Sequence, residues 1–460
     1  MNATVLDALT ISQVLLTELA ADAERFADLF GTAFGADYDR GVAESLRQAW
    51  AAEEFQQLPG LEVRSGAELN GALGVYAAAT DTVYVSREFV ETATADQIAS
   101  VLLEELGHGV DARVNGSDSA GDEGEIFSAL ARGLELSEAQ LDLLRQQDDS
   151  AEVVLDGQVL AVEQATLTVT TTADNTTSDA EVTLREAIIA ANGDLTTDSG
   201  QTGSGADVIT LGAGTFGLSE MGTGEDAAVT GDLDITSDIT IRGAGAGVTI
   251  IDANQIDRVF EVLSGGKLTL ENVTVTGGSG SFNGGGIRAV NAELAIANST
   301  ISGNSADLGG GIDVFLSELA IANSTISGNS AEYAGGGIFS NTSTFTIDNS
   351  TISGNVGVSG IAFGGGIYNF SSTATIRNST VSGNSAGDDG GGIYNYSSTA
   401  TVSNSTVSGN TAANDGGGIF NAGYSAATIT SSIVGDNTAA GNPDLSNPGG
   451  SLVVSHSLVE

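Results

Sequence analysis

Acidic side chains recur at one position in the second half of the chain, each shortly before a repeated glycine triplet. They are Asp307, Glu332, Asp389 and Asp415. If these segments stack at the spacing of β-strands, about 4.8 Å, the carboxylates form one row along an edge. Carboxylate oxygens are preferred ligands of Ca²⁺. The row therefore predicts weak calcium binding, and the alternative is a set of solvated acidic turns.

Aromatic side chains occupy two further repeated positions. The six residues are Phe339, Tyr368, Phe370, Tyr394, Tyr396 and Phe420. Four of them directly follow a repeated isoleucine, so in a strand they point to the face opposite that isoleucine. Stacked rings there could bind the faces of sugars or another copy of the protein. The alternative is that they cover the edge of the structure and stack on each other.

An internal repeat must position these side chains. The motif Gly-Gly-Gly-Ile starts at residues 284, 309, 335, 364, 390 and 416, at intervals of 25 to 29 residues, and Asn-Ser-Thr-Ile/Val-Ser-Gly-Asn keeps the same period. A fixed period of this length is typical of a solenoid, in which each unit buries its apolar face against its neighbours.

Each repeat contains three apolar, mostly β-branched positions, as at Ile312, Ile321 and Ile326, separated by Asn and Gly. Around each position apolar and small polar residues alternate, as in a strand with one buried face. Three strands and three turns in about 26 residues predict one rung of a parallel β-helix. Two asparagine columns, which begin at Asn298 and Asn304, are predicted to stack as ladders.

Composition excludes several function classes. The chain of 460 residues has 60 acidic and 14 basic residues and a net charge of −46, which disfavours nucleic acid and anionic membranes as partners. It has no cysteine, so neither disulfides nor thiolate metal sites form. No run of 18 apolar residues is present, and the residues after Met1 lack a charged n-region. We therefore expect no membrane insertion and no cleavable signal peptide.

The first 165 residues predict a small α+β domain. Helices are expected at 11–30, 40–55, 95–114, 125–133 and 137–147, strands at 61–65 and 75–86, and a hairpin at 153–162 that turns at Asp156 and Gly157. The composition then changes abruptly to Thr, Ser, Gly and Asp. The expected domains are 1–165, a linker strand and capping helix at 166–193, and the β-helix at 194–460.

The helix with Glu104-Glu105-Leu106-Gly107-His108, followed by an acid-bearing helix, resembles the core of zincin metalloproteases, whose motif is His-Glu-x-x-His. The resemblance implies His108 as a metal ligand, Glu105 as the general base, and Glu104 in place of the first histidine. It implies a third ligand as well. The candidates are Glu123 and Glu125, with Asp111 as a further candidate. Because one histidine is replaced, zinc is disfavoured and an inactive head is predicted; an active metallopeptidase is the alternative.

Residues 167–193, with the segment Val-Thr-Leu-Arg-Glu-Ala, resemble the opening of CSLREA-type bacterial surface proteins, and Thr183 stands where that family commonly has Cys. The end of the chain resembles choice-of-anchor Q proteins, and the repeats resemble those of polymorphic outer-membrane proteins. These resemblances imply a mainly β protein in which a right-handed parallel β-helix follows the small α+β domain along the chain. Thr183 and Glu186 also predict a capping box for a helix that ends at Gly193.

The sequence favours a structural or adhesive protein, outside the cell or on its surface, that assembles end to end. An acidic, cysteine-free repeat protein resembles substrates of leaderless bacterial secretion. Catalysis in the β-helix is disfavoured, because no basic residue after Ala165 is expected beside an acidic cluster. These residues are Arg185, Arg242, Arg258, Lys267, Arg288 and Arg377. A polysaccharide-active β-helix enzyme is the alternative.

Overall fold

The structure is a computed structural model. It describes residues 3–66, 68–69, 72–116, 123–134, 136, 141, 144–145, 150–163, 166–179, 181–193, 195, 197, 201, 203 and 206–460. The chain forms two compact units. The first is Met1–Thr171 with Thr177–Val182 and Ala190–Thr210, and the second is Thr172–Thr176 with Thr183–Ile189 and Leu211–Glu460.

The first unit has the predicted α+β composition. Its helices are α1 (Ala3–Ala21), α2 (Ala23–Ala33), α3 (Arg40–Ala51), α4 (Arg87–Thr92), α5 (Ala95–Val114) and α6 (Glu123–Ala131). Its strands are β1 (Gly60–Arg64), β2 (Gly74–Ala77), β3 (Thr82–Ser86), β4 (Ser150–Leu155), β5 (Gln158–Glu163), β6 (Thr166–Val169) and β7 (Ala206–Leu211), of which the last residue belongs to the second unit. The first five strands form one sheet in the order β1-β3-β2-β5-β4, in which only β1 and β3 pair in parallel.

The expected helix at 11–30 is wrong in its bounds, because two helices meet there. The carboxylate of Asp22 accepts hydrogen bonds from the backbone N–H groups of Glu24 and Arg25, both at 3.1 Å, and so caps the start of α2. The hairpin at Asp156 and Gly157 is confirmed, with both residues at positive φ. Most of the helix expected at 137–147 lies outside the described residues.

Aromatic packing holds the helices of the first unit together. Phe30 contacts the rings of Phe26, Phe34, Trp50 and Phe127, with centroids 4.1 to 6.3 Å apart. The long helix α5 begins with a complete capping box between Thr94 and Gln97 and is buried along most of its length. One helix of the described chain, α1, is long and apolar enough to cross a membrane, a test that core helices and signal sequences also pass.

The second unit consists of stacked strands in four sheets, with helix α7 (Leu184–Gly193) divided between the two units. Sheet 1 contains β10 (Asp238–Gly243), β13 (Lys267–Glu271), β16 (Glu293–Ala297), β20 (Glu318–Ala322), β24 (Thr344–Asp348), β28 (Thr373–Arg377), β32 (Thr399–Ser403), β36 (Ala426–Thr430) and β39 (Ser451–Ser455). Sheet 2 contains β8 (Gly214–Gly217), β11 (Thr249–Asp252), β14 (Thr274–Thr276), β17 (Thr300–Ser302), β21 (Thr325–Ser327), β25 (Thr351–Ser353), β29 (Thr380–Ser382), β33 (Thr406–Ser408), β37 (Ile433–Gly435) and β40 (Leu458–Val459).

Sheet 3 contains β9 (Leu233–Ile235), β12 (Phe260–Val262), β15 (Ile287–Val290), β19 (Ile312–Phe315), β23 (Ile338–Asn341), β27 (Ile367–Phe370), β31 (Ile393–Tyr396), β35 (Ile419–Ala422) and β38 (Leu445–Ser446). Sheet 4 contains β18 (Ser305–Leu308), β22 (Ser330–Ala334), β26 (Val356–Gly357), β30 (Ser385–Ala386) and β34 (Thr411–Ala412). Every strand from β15 to β37 pairs in parallel with its equivalent one repeat away, which confirms the predicted parallel β-helix. The short sheet 4 was not expected from the three apolar columns.

The three apolar columns form the core of the β-helix, as predicted. Ile312, Ile321 and Ile326, one from each column, are all fully or almost fully buried. Backbone pairing places each of them beside the same position of the next rung, at Ile338, Ile347 and Ile352. Burial of these β-branched side chains therefore stabilises the stack over its whole length.

The asparagine columns have different roles. In the column that begins at Asn304, each side-chain N–H from Asn304 to Asn410 donates to the amide oxygen of the next rung, for example from Asn355 to Asn384 at 3.0 Å. In the column that begins at Asn298, the residues adopt φ near +50° instead, so the ladder predicted there is wrong and the asparagines serve the turn. A further buried ladder, from Asn369 through Asn395 to Asn421, was not predicted.

Helix α7 begins as predicted, because Thr183 and Glu186 exchange both hydrogen bonds of a capping box. Next to this box, the fully buried guanidinium of Arg185 pairs with Asp174 at 2.6 Å and donates to the carbonyl oxygens of Ala228 and Gly231. This residue thus ties the start of the helix to the loop that precedes β9.

Candidate functional site

One outward-facing column of sheet 3 carries both charged and aromatic side chains. In strand register it contains Asp234, Glu261, Arg288, Asp313, Phe339, Tyr368, Tyr394 and Phe420. These positions alternate with buried apolar residues of the same strands, so the backbone directs them away from the core. The column therefore changes from ionisable to aromatic between Asp313 and Phe339.

The charged half of the column forms a network with two arginines. The guanidinium of Arg258 donates to Asp232 at 3.0 Å and also to Glu261. Arg288 donates to the other oxygen of Glu261, and its Nε lies 3.8 Å from Asp313 Oδ2. The expectation that no basic residue of the β-helix lies beside an acidic cluster is therefore wrong. Asp232 precedes the regular repeats, so its strand register could not be read from the motif spacing.

Three carboxylates of this network lie close enough together to share a ligand. Oxygen atoms of Asp232, Asp234 and Glu261 lie within 4.8 Å of one another, and all three residues are buried. Burial raises the pKa of Asp232 to about 7, against the opposing effect of Arg258, and it raises the pKa of Asp234 to about 8. Arg258 supplies positive charge at this point, and protonation of the aspartates relieves the remaining repulsion.

Asp313 lies at the boundary with the aromatic half and faces a small pocket. The pocket has a volume of about 260 Å³ and is lined by Asn283, Arg288, Asp313, Phe315, Phe339 and Asn341. Asp313 is only 1% exposed, and its Oδ2 accepts a hydrogen bond of 3.3 Å from Asn283. Its Oδ1 is buried with no hydrogen-bond partner among the residues that the structure describes. Burial raises the pKa of Asp313 to about 6, although Asn283 and Arg288 act in the opposite direction.

The aromatic half of the column is a small core of its own. Ring centroids of successive residues lie 5.3 Å apart from Phe339 to Tyr368, 4.9 Å from Tyr368 to Tyr394 and 5.1 Å from Tyr394 to Phe420. Phe339, Tyr394 and Phe420 are each 7% exposed, and Phe363 packs against the column. The rings therefore stack mainly on each other.

The two remaining aromatic residues of the predicted set lie at the ends of their strands. Phe370 and Tyr396 stack on each other with centroids 5.8 Å apart and an interplanar angle of 14°. Tyr396 is exposed and Phe370 is half-buried. This pair therefore offers more ring surface to a partner than the buried column does.

The four acids of the predicted calcium edge lie in sheet 4 and the turns after it. Asp389 accepts a hydrogen bond from the backbone N–H of Asp415 at 3.0 Å, and Asp415 accepts one from the backbone N–H of Asn442 at 2.6 Å. Asp307 lies in β18 and Glu332 in β22. Where the chain is described, these four carboxylates form no group of three within 4.8 Å. Calcium binding here stays a prediction.

The predicted residues of the zincin-like head lie on α5 and α6. Buried residues of this set are Glu104, Glu105, His108, Asp111, Glu123 and Glu125. The two helices approach closely, because a Cβ added to Gly124 would lie 2.3 Å from His108 Nε2. Within the described ranges these side chains do not bring three ligand atoms within 4.8 Å of one another. A metal in the head stays a prediction.

Comparison with known proteins identifies the class of fold. Residues 236–441 match the family model described as the right-handed beta helix region. The second unit is therefore a right-handed parallel β-helix, preceded by a small α+β unit. No curated protein matches the chain.

Solved structures with a similar chain trace include three proteins of low sequence identity. The pectate lyase Pel9A is 13% identical over 64% of this chain and 77% of its own, with a TM-score of 0.35. The A-module of mannuronan C-5 epimerase AlgE6 from Azotobacter vinelandii is 14% identical over 64% and 98%, with a TM-score of 0.26. Tailspike protein 2 of the Escherichia coli O157:H7 bacteriophage CAB120 is 11% identical over 90% and 64%, with a TM-score of 0.32. At this level of similarity, the activities of these proteins do not transfer to this chain.

Proposed function

We propose that this protein is an extracellular carbohydrate-binding β-helix that holds one neutral sugar unit in the pocket at Asp313. The observation that carries the proposal is that Asp313 lines a pocket of about 260 Å³ and that its buried Oδ1 has no hydrogen-bond partner in the described chain. A buried oxygen of this kind gains free energy when a ligand hydroxyl donates to it.

The other pocket residues supply what a sugar ring needs. Asn283 and Asn341 provide amide donors and acceptors, and Phe315 and Phe339 provide apolar surface for the C–H face of the ring. A small number of polar groups in an otherwise apolar pocket is typical of small-molecule sites.

Charge favours a neutral sugar over an acidic one. Arg288 is the cation that lines the pocket, and Glu261 and Asp313 already lie beside it. The chain as a whole has a net charge of −46. A carboxylated sugar would therefore be repelled at long range and would compete with Glu261 for Arg288.

Calorimetric titration with neutral monosaccharides and disaccharides tests this proposal. We expect saturable binding to the wild type and a loss of about tenfold in affinity for Asn283→Ala, since a lost hydrogen bond of about 1.4 kcal/mol corresponds to that factor. Asp348→Asn, which removes a surface carboxylate from sheet 1, is the control and should bind as the wild type does. Equal affinity for Asn283→Ala and the wild type would exclude this pocket.

A second candidate function, acid-catalysed glycoside hydrolysis, is supported by the pKa of Asp313, which burial raises to about 6. The protonated carboxyl would donate its proton to the leaving oxygen while water attacks the anomeric carbon and passes a proton to a base. Glu261 is two strands away in register, but Arg258 and Arg288 bind its carboxylate and it does not line the pocket. The base that activates the water is therefore left unassigned. New reducing ends from a neutral glycan, lost in Asp313→Asn, would support hydrolysis; binding without products would leave the lectin-like function alone.

The adhesive and assembly roles predicted from the sequence fit the same proposal. The resemblance of the opening and closing segments to CSLREA-type and choice-of-anchor Q proteins supports a location at the cell surface. The stacked rings of Phe370 and Tyr396, of which Tyr396 is exposed, offer a surface for association with another copy. Light scattering over a range of protein concentrations measures this association.

We also propose two metal sites. Calcium would bind weakly at the edge that carries Asp389 and Asp415, and a metal in the head would use His108. Because His108 is the only histidine of the predicted ligand set, zinc would bind there weakly. Elemental analysis of the purified protein, before and after dialysis against chelator, tests both.

A further inference from the structure

We propose that a second site, a groove along the turns between sheet 3 and sheet 1, binds a neutral linear polysaccharide chain parallel to the axis of the β-helix. We call it the axial groove. It is lined by one turn residue from each of five successive rungs, namely Asn291, Leu316, Thr342, Ser371 and Ser397, and by residues of the adjoining strands of sheet 1. The site is separate from the pocket at Asp313.

The dimensions of the axial groove suit an extended chain. Its lining reaches from Asp238 in β10 to Ala426 in β36, which is eight neighbouring strands of sheet 1. At about 4.8 Å per strand the groove is about 34 Å long. With a volume of about 1020 Å³, its mean cross-section is about 30 Å², which is narrow for a compact ligand and suits a single polymer chain.

The backbone of the groove holds side chains in an unfavourable conformation. Leu316 and Thr342 both have φ of +53°, in the left-handed region that leucine and β-branched residues rarely adopt. At the turn between sheets 1 and 2, the same conformation is taken by asparagine in five successive repeats, from Asn298 to Asn404. The axial groove therefore carries varied side chains at positions where asparagine or glycine would adopt the left-handed backbone conformation with less strain.

The groups available in the groove are hydroxyls. Thr344, Thr373 and Thr399 are exposed, occupy the same register position on three successive strands, and present one hydroxyl per rung. The backbone groups of these strands already pair with their neighbours in sheet 1, so a peptide could not be added there as a further strand. A hydroxyl-rich chain can exchange hydrogen bonds with this row at each rung.

One end of the groove disfavours anionic ligands, since its cation Lys267 already pairs with Asp238 at 3.0 Å, and the other end offers a stacking surface. Glu293 and Glu318 lie toward one end, where their carboxylates repel acidic polysaccharides and nucleic acids. Toward the other end Tyr424 is 97% exposed, the most exposed of the large apolar side chains in the described part of the protein. A free aromatic ring next to a row of hydroxyls is well suited to the C–H face of a sugar.

Calorimetric titration with linear hexasaccharides tests the axial groove. The probes are neutral β-1,4-linked glucose and mannose hexamers, with a galacturonate hexamer as the acidic comparison. The groove variant is Thr373→Arg/Thr399→Arg, which fills the groove on two strands. The matched control is Thr380→Arg/Thr406→Arg, which makes the same change on β29 and β33 of sheet 2. Thermal melting confirms that both fold.

We expect at least one neutral hexamer to bind in the groove and its affinity there to fall at least tenfold in the groove variant, while the control binds as the wild type does. Asp313→Asn should remove only binding at the pocket and leave the groove affinity unchanged. Failure of every neutral hexamer to bind, tighter binding of the galacturonate hexamer, or equal affinity in the groove variant and its control would overturn the proposal. If Asp313→Asn alone loses the hexamer, the axial groove is excluded and the pocket at Asp313 remains.

Discussion

Replacement of Asp313 by asparagine should change how the stability of the β-helix depends on pH. The side chain keeps its size, and the amide oxygen of the substituted side chain could still accept the hydrogen bond that Asn283 donates to Asp313 Oδ2. What is removed is the ionisable group. Burial raises the pKa of Asp313 from 3.8 to about 6 in the folded protein. The folded wild type therefore retains this proton over a pH range in which the unfolded chain has released it.

The sign and size of the effect follow from proton linkage. Between about pH 4 and pH 6 the folded state binds more protons at this site than the unfolded state, so the free energy of unfolding falls as the pH rises. The stabilisation that comes from the retained proton of Asp313 is fully present below about pH 4, decreases as the pH rises, and is absent above about pH 6. At about 1.4 kcal/mol per pKa unit, the loss is about 3 kcal/mol at most. The variant lacks this loss, so its stability relative to the wild type should increase by up to this amount between pH 4 and pH 7.5.

Urea unfolding of both proteins at a series of pH values measures this difference. Asp232 and Asp234 also have raised pKa values, but they are present in both proteins and cancel in the comparison. Asn283→Ala provides an internal check, because Asn283 lowers the pKa of Asp313 and its loss should move the transition to higher pH. A stability difference between wild type and Asp313→Asn that is the same at pH 4 and pH 7.5 would refute the reasoning.

Three further predictions concern the stability of each unit. Asn384→Ala should lower the free energy of unfolding by about 3 kcal/mol in urea melts, because it leaves buried groups of the ladder without partners; no change would mean that the ladder does not contribute. Gly391→Ala should lower the free energy of unfolding by about 1 to 3 kcal/mol, because the new methyl would lie 2.4 Å from a backbone oxygen. The control Gly247→Ala meets open space and should melt at or above the wild-type temperature. Equal melting temperatures for the two variants would contradict this. Gly124→Ala should destabilise the head by about 1 to 3 kcal/mol through contact with His108. Gly31→Ala in α2 should stabilise the head by about 1 kcal/mol, and Trp fluorescence follows the unfolding of both variants. The opposite order of stability would show that α5 and α6 are not packed as described.

The regular part of the β-helix could be predicted from sequence because each rung repeats the same local pattern. Ile338 and Ile367 occupy the same position relative to Gly-Gly-Gly, and parallel pairing then follows from the period alone. The roles of the asparagines in the turns were harder to predict from sequence. The Asn298 column and the Asn304 column look alike in sequence, but only the second points its amides into the stack.

The charged half of the candidate site could not be predicted, because it lies before the regular repeats. Asp232 and Asp234 reach the side of Glu261 through loops of irregular length, and a strand register across such loops is not set by a repeated motif. A signal was present for the ladder of Asn369, since it lies two residues after a buried isoleucine and so faces the core. The aromatic column is largely buried because Phe363 packs against it and its rings stack on each other, which is one of the two arrangements that the sequence left open.

A crystal structure of the protein soaked with the neutral disaccharide that binds best would show whether the pocket at Asp313 holds a sugar. We expect a sugar ring between Phe315 and Phe339, with one hydroxyl at about 2.7 Å from Asp313 Oδ1, a normal hydrogen-bond distance. A sugar bound elsewhere, with the pocket at Asp313 holding only solvent, would contradict this expectation.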